Sequence, residues 1–178
     1  AADACGDAWS HALEGVWSPL AGDALRGELS ALMAEMLELP IGRDPRWFEP
    51  SARACAGQSR ASVGLVHGLA HTLEHPLRAA QPGAGWSHAK LCSVFLWPVM
   101  RFNLANSEKP SLLARTHGLE LDRVEGVARR LHDPGAYAAA LTLLAEHWKT
   151  VLRDACTRTN CALVRPNALE FFRGDPLA

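Results

Sequence analysis

Between Gly64 and Asn103 the chain reads GLVHGLAHTLEHPLRAAQPGAGWSHAKLCSVFLWPVMRFN, a mostly apolar stretch that carries His67, His71, His75 and His88, half of the eight histidines. A segment this apolar is costly to leave in water. Imidazoles carried on it need partners once buried, either hydrogen-bonding groups or a metal ion. The fold must therefore surround this stretch and bring polar groups to it.

The flanking sequence supplies helices. Cys5, Trp9, Ala12 and Val16 recur at helical spacing, with Asp7, His11 and Glu14 on the opposite face. SPLAG at Ser18 to Gly22 interrupts this helix, and Asp23 opens a second with the stripe Leu25, Leu29, Leu32 and Met36. Pro40, Gly42, Pro45 and Pro50 punctuate a loop that Trp47 and Phe48 are expected to anchor against the body. Ser51 can cap a long helix running to about His75, ended by Pro76. After a loop with Pro82, Gly83 and Gly85, His88 stands at a loop-to-helix junction, and the following apolar run forms a buried helix that Pro98 should kink or break. Leu121, Val124, Ala128 and Leu131 form one further stripe, and Tyr137, Leu141, Leu144, Trp148 and Val151 another. A short last helix is expected from about Pro166 to Phe172. With no alternating strand run and no internal repeat, the pattern predicts an all-α helical bundle, one domain over residues 1–178.

Composition narrows the function classes. A formal net charge of −1, from 18 Lys plus Arg against 19 Asp plus Glu, gives no global field for nucleic acid or an anionic membrane. No apolar run approaches the ~20 residues of a membrane span, and the first residues lack the basic-then-apolar plan of a secretory signal, so the expected location is cytoplasmic. Cys5, Cys55, Cys92, Cys156 and Cys161 show no CxxC spacing and are expected to be reduced, mainly core residues. The chain opens on Ala1, which leaves open whether a Met was removed or a segment precedes it.

Two side chains four residues apart on a helix share a face and supply half of a metal site. Asp7 and His11 form such a pair, His67 and His71 another, and His88 is placed to reach across from a neighbouring helix. One carboxylate with two or three imidazoles makes a mixed nitrogen and oxygen shell suited to Fe, Zn, Co or Ni rather than Ca or Mg. Taken singly, Asp7 and His11 read as a solvated polar face, since they lie opposite an apolar stripe. His67 and His71 read equally as hydrogen-bonded core histidines or as a metal pair. His75 reads as a helix-end residue favoured by the C-terminal dipole, and His117, His132 and His147 as surface positions. Cys156 and Cys161 have no histidine pattern beside them in sequence.

The order of motifs is more specific. GDAWSHALEGVW (Gly6 to Trp17), GLVHGLAH (Gly64 to His71), SHAKLCSVFLWPVMRFN (Ser87 to Asn103) and TRTN (Thr157 to Asn160) together resemble the C-terminal helical domain of the iron-containing (group III) alcohol dehydrogenases, over essentially the whole chain from Gly6 onwards. The resemblance implies that Asp7, His11, His67 and His88 bind the metal, with Fe2+ first and Zn2+ second. It also implies that His71 is the non-ligand histidine near substrate and nicotinamide, a proton relay. The family's metal acts as a Lewis acid on an alcohol or carbonyl oxygen while hydride passes to or from NAD(P).

Three departures stand out. No glycine-rich pyrophosphate loop follows a strand here, Gly83-Ala84-Gly85 being isolated, so the family's nucleotide-binding domain is absent from this chain and NAD(P) would need a further domain or a partner subunit. The path from His71 to His88 is longer than in the family, which leaves His75 or His88 for the last ligand place. Ala89 stands where the family has glycine. The expected partners are a small alcohol or aldehyde and a nucleotide-binding domain or subunit, with a homodimer open. Two other functions fit the same residues: a stand-alone hydrolase or lyase that uses the metal without nicotinamide, and a non-catalytic metal-binding helical module.

Overall fold

Helix α1 (Ala2–Trp17) and helix α5 (His88–Asn106) cross at Gly6. A Cβ there would stand 2.7 Å from the Ser93 Cα and 1.9 Å from its hydroxyl oxygen, so only glycine lets the two backbones come this close. The consequence is local to function: Asp7, the next residue, is carried to the N-terminal end of α5, where Ser87 accepts the Lys90 N–H at 3.2 Å and fixes His88 in the first turn.

The computed structural model describes residues 2–174, and these contain no β-strand. The remaining helices are α2 (Asp23–Leu37), α3 (Phe48–Ser59), α4 (Leu65–Ala80), α6 (Lys109–His117), α7 (Leu121–Leu131), α8 (Pro134–Val151), the short α9 (Ala155–Arg158) and α10 (Leu169–Arg173). The all-α expectation therefore holds. Helix α5 is the axis: Leu96, Trp97 and Met100 enter a core shared with α1, α2, α3 and α7, while Phe95, Val99 and Phe102 enter a second core with α4, α8 and α10. Serving two cores is why its sequence is apolar all round rather than on one stripe. No helix among the described residues is long and apolar enough to cross a membrane.

Several local expectations are corrected. The helix expected from Ser51 to His75 is two helices, α3 and α4, separated at Arg60 to Gly64, where Ser62 takes a left-handed φ of 64°. Pro76 does not end α4, which continues to Ala80, so His75 is not a helix-end residue. Asp23 sits inside the first turn of α2, with Gly22 as the N-cap. Trp47 is buried and donates its indole N–H to the Pro40 carbonyl at 2.9 Å, but Phe48 is 84% exposed and anchors nothing. Pro98 lies within α5, whose helix runs on unbroken. His132 is a half-buried residue facing the Val94 carbonyl at 2.9 Å, and His117 and His147 are likewise only partly exposed, so none of the three is a plain surface position.

Candidate metal centre

The polar face of α1 does not point to water. Asp7 and His11 are partly buried and Glu14 is 3% exposed, because α4 and α5 close over this face. That overturns the reading of these residues as a solvated surface. It also gives the face a job.

Glu14 is the piece that the sequence reading passed over. Its Oε1 accepts the Val66 N–H at 2.7 Å, and the Asn160 side-chain oxygen accepts the Leu65 N–H at 3.2 Å. Helix α4 has only Gly64 as its own N-cap, so these side chains from elsewhere satisfy its first donors. Glu14 Oε2 lies 2.7 Å from His67 Nδ1. A carboxylate can only accept, so Nδ1 carries the hydrogen and the His67 Nε2 lone pair is turned the other way.

What Nε2 faces is Asp7. Asp7 Oδ1 lies 3.7 Å from His67 Nε2, 3.6 Å from His88 Nε2 and 3.9 Å from His11 Nδ1. These separations are too long for hydrogen bonds. They are of the order expected between atoms that share one ion at roughly 2 Å each. Asp7 Oδ1 and His67 Nε2 are buried and have no hydrogen-bond partner, a costly state for polar atoms. The donor set and its unsatisfied atoms fit a divalent transition metal.

The electrostatics agree. Desolvation lowers the His11 pKa to about 4, with the neighbouring His67 adding to the effect and Asp7 and Glu14 opposing it. Burial lowers that of His88 as well, with His67 acting in the same direction. Both rings are thus neutral near pH 7, the form that donates a lone pair to a metal.

His88, rather than His75, reaches this group. The long path after His71 is taken up by the last turns of α4 and by a loop that Trp86 pins through a 3.0 Å hydrogen bond to Gln81, while His75 stays exposed. Cys92, one turn after His88 and fully buried, also joins: one atom each from Asp7, His67, His88 and Cys92 lie within 4.8 Å of one another. Burial, and then the Asp7 and Glu14 carboxylates, push its thiol pKa well up. His11 stands beside this mutual set, its ring centroid 4.5 Å from that of His67.

His71 occupies the open side. Its side chain is 45% exposed, its ring stacks on His88 with centroids 5.2 Å apart, and its Nδ1 lies 3.6 Å from Asp154 and 3.8 Å from the Cys156 sulfur. Cys156 thus does have a histidine beside it, supplied by the fold rather than by sequence spacing. Gly68 permits this approach, since a Cβ there would lie 2.0 Å from the Thr157 hydroxyl. Sequence reasoning missed Glu14, Cys92, Asp154 and Cys156. The i, i+4 relation of His88 to Cys92 was the one local signal available.

Among solved structures, the chain is similar to an iron-containing alcohol dehydrogenase from Thermococcus thioreducens in a tetragonal crystal form, with a TM-score of 0.60 and 20% sequence identity, covering 97% of this chain and 50% of that chain. The chain shares the fold of half of an iron-containing alcohol dehydrogenase. It spans half the length of that enzyme, as expected of a match to its helical domain alone. No family model and no curated protein matches the sequence. At this identity the likeness concerns the iron-containing alcohol dehydrogenase fold and not its chemistry, which has to be argued from the residues.

Proposed function

We propose that this chain is the metal-binding catalytic domain of an alcohol and aldehyde oxidoreductase of the iron-containing alcohol dehydrogenase type. Asp7, His11, His67 and His88 would hold a divalent metal, Fe2+ or Zn2+. A nucleotide-binding domain or subunit would supply NAD(P). The observation that carries this reading is the trio of imidazole nitrogens at 3.6 to 3.9 Å around Asp7 Oδ1.

When bound, the metal supplies Lewis acidity to an alcohol or carbonyl oxygen. The chain's own residues do the rest. Glu14 holds His67 in one tautomer and orientation from its buried position in α1. His88 and His11 offer neutral rings from α5 and α1. His71, exposed and stacked on His88, is the group able to take a proton from substrate and pass it to water, and Asp154 faces the same ring nitrogen that such a relay would use. Cys156 and Asp154 wall the same side, and the exposed His71 face is where a nicotinamide supplied by the nucleotide-binding domain or subunit would have to stand to exchange hydride.

The reading is tested by loading the chain with Zn2+ or Fe2+ and measuring alcohol-dependent reduction of NAD(P)+ with and without a nucleotide-binding partner. Activity that needs metal, nicotinamide and partner, and that falls at least about a hundredfold in His71→Ala with metal content unchanged, is the expected result. Hydrolysis of a substrate by the metal-loaded chain without nicotinamide would replace it with a hydrolase reading.

A further inference from the structure

We propose that Cys92 binds the metal as a thiolate, so that the centre is a mixed sulfur, nitrogen and oxygen site that selects Zn2+ over Fe2+. This rests on the metal-site reading above and goes beyond its four ligands.

Three observations converge. Cys92 follows His88 by one helical turn on α5, on the same face, with its sulfur 3.5 Å from His88 Nε2. Its sulfur belongs to the mutually close set with Asp7, His67 and His88, whereas His11, 3.9 Å from Asp7 Oδ1, is not a member of that set. Independently, His67 Nε2 and Asp7 Oδ1 are buried without partners, and the His67 side chain is only 3% exposed. The unsatisfied atoms therefore belong to the set that contains the sulfur.

Packing alone does not account for Cys92. The chain treats its other core thiols differently: Cys161 lies in the apolar core of α1 and α2, and Cys5 faces the Gly42 carbonyl at 3.6 Å. Neither joins a group of ligating atoms among the described residues. If only apolar packing mattered, the position would need no ligating atom. A thiol gives that face a soft donor instead.

Binding is a proton exchange without redox change. The Cys92 S–H bond breaks, a sulfur-to-metal bond forms, and the proton leaves to solvent by the open side at His71. Thiolate is a soft ligand, so a site with Cys92 in it favours Zn2+, which already stands above Fe2+ in intrinsic affinity.

Co2+ is the probe, because a cobalt–thiolate bond gives a near-ultraviolet charge-transfer band that imidazole and carboxylate do not. His71, Asp154 and Cys156 form a second close group, so the experiment has to separate two thiols. The expected result is a charge-transfer band in the wild-type chain, its loss in Cys92→Ser with cobalt still bound, and its retention in Cys156→Ser. Cobalt bound without that band in the wild type overturns the Cys92 proposal alone, as does a band that survives Cys92→Ser and vanishes in Cys156→Ser. No cobalt bound at all overturns both this proposal and the metal reading beneath it. If Cys92→Ser does not fold, X-ray absorption on the zinc-loaded Cys156→Ser variant decides: a sulfur neighbour at about 2.3 Å is expected, and a shell of nitrogen and oxygen only overturns the proposal.

Discussion

Two histidine environments share helix α5 and are built on different plans. At its N-terminal end, His88 meets His67, His71, Asp7 and Cys92. Further along, the Val94 carbonyl accepts from His132 Nδ1 at 2.9 Å, and the His132 ring packs against Trp97 and Tyr137 with centroids 5.3 and 5.2 Å away. Both environments leave a buried ring nitrogen unpaired, Nε2 of His67 in one and Nε2 of His132 in the other. An orphaned nitrogen is therefore not enough to mark a metal site. What separates them is the company: an aromatic wall around His132, and a carboxylate with further imidazoles around His67.

Metal addition should break the symmetry between the two most strongly. Zn2+ at about a thousand times its Kd stabilises a site that exists only in the folded chain by about 4 kcal/mol. Thermal melts of wild type and His132→Ala should both show this increment, the variant from a lower starting point. An increment lost in His132→Ala would mean that the two regions are one unit.

Glu14→Gln sharpens the contrast next. Glutamine can still accept the Val66 N–H, but it no longer fixes the His67 tautomer through a charged acceptor. Zn2+ titration should show affinity reduced about 10- to 100-fold with little change in metal-free stability. Unchanged affinity would reduce Glu14 to a helix cap.

The close crossing that builds the metal side can be tested through its glycine. Gly6→Ala forces apart α1 and α5 at Ser93, and urea unfolding should report a loss of about 1–3 kcal/mol. Gly126→Ala in α7 meets nothing within 4 Å and should instead stabilise by about 0.5–1 kcal/mol. Equal effects would show that the crossing is not tight.

Acid brings out a smaller difference. His11 is held at about 4, chiefly by desolvation, while burial lowers His88 and His132 from the ordinary value near 6.5. The unfolded chain binds protons at these groups before the folded one does. Metal-free stability should thus be full above about pH 6.5 and fall as the pH drops towards about 4. Urea midpoints across that window should fall less steeply in His132→Phe, though part of the slope should remain from the cluster.

Much of this was legible in the sequence, for reasons particular residues make plain. Leu25, Leu29, Leu32 and Met36 repeat at one period and are all buried in α2. The i, i+4 pair of Asp7 and His11 and the position of His88 at a helix start also carried through into the geometry. The break between α3 and α4 did not, because the left-handed residue in it is Ser62 rather than a glycine, and Gly64 two residues on is the N-cap of α4 with no side chain to mark a helix start. Instead, the Ser62 hydroxyl pairs with that of Thr159 at 3.0 Å, far along the chain. Glu14, Asp154 and Cys156 were hidden for a related reason: their partners are supplied by tertiary packing of α1 against α4 and of α9 against α4. Local periodicity marked Glu14 as polar and could not say that its face would be covered.

Asp7 and His67 are expected to meet across a metal ion. Metal content per chain after Zn2+ loading and dialysis, measured for wild type, Asp7→Asn and His67→Ala alongside their circular dichroism, tests it most directly. One ion per wild-type chain and none in either variant, with helical content retained, is the expected result. Stoichiometric metal in both folded variants, or none in the wild type, would contradict it.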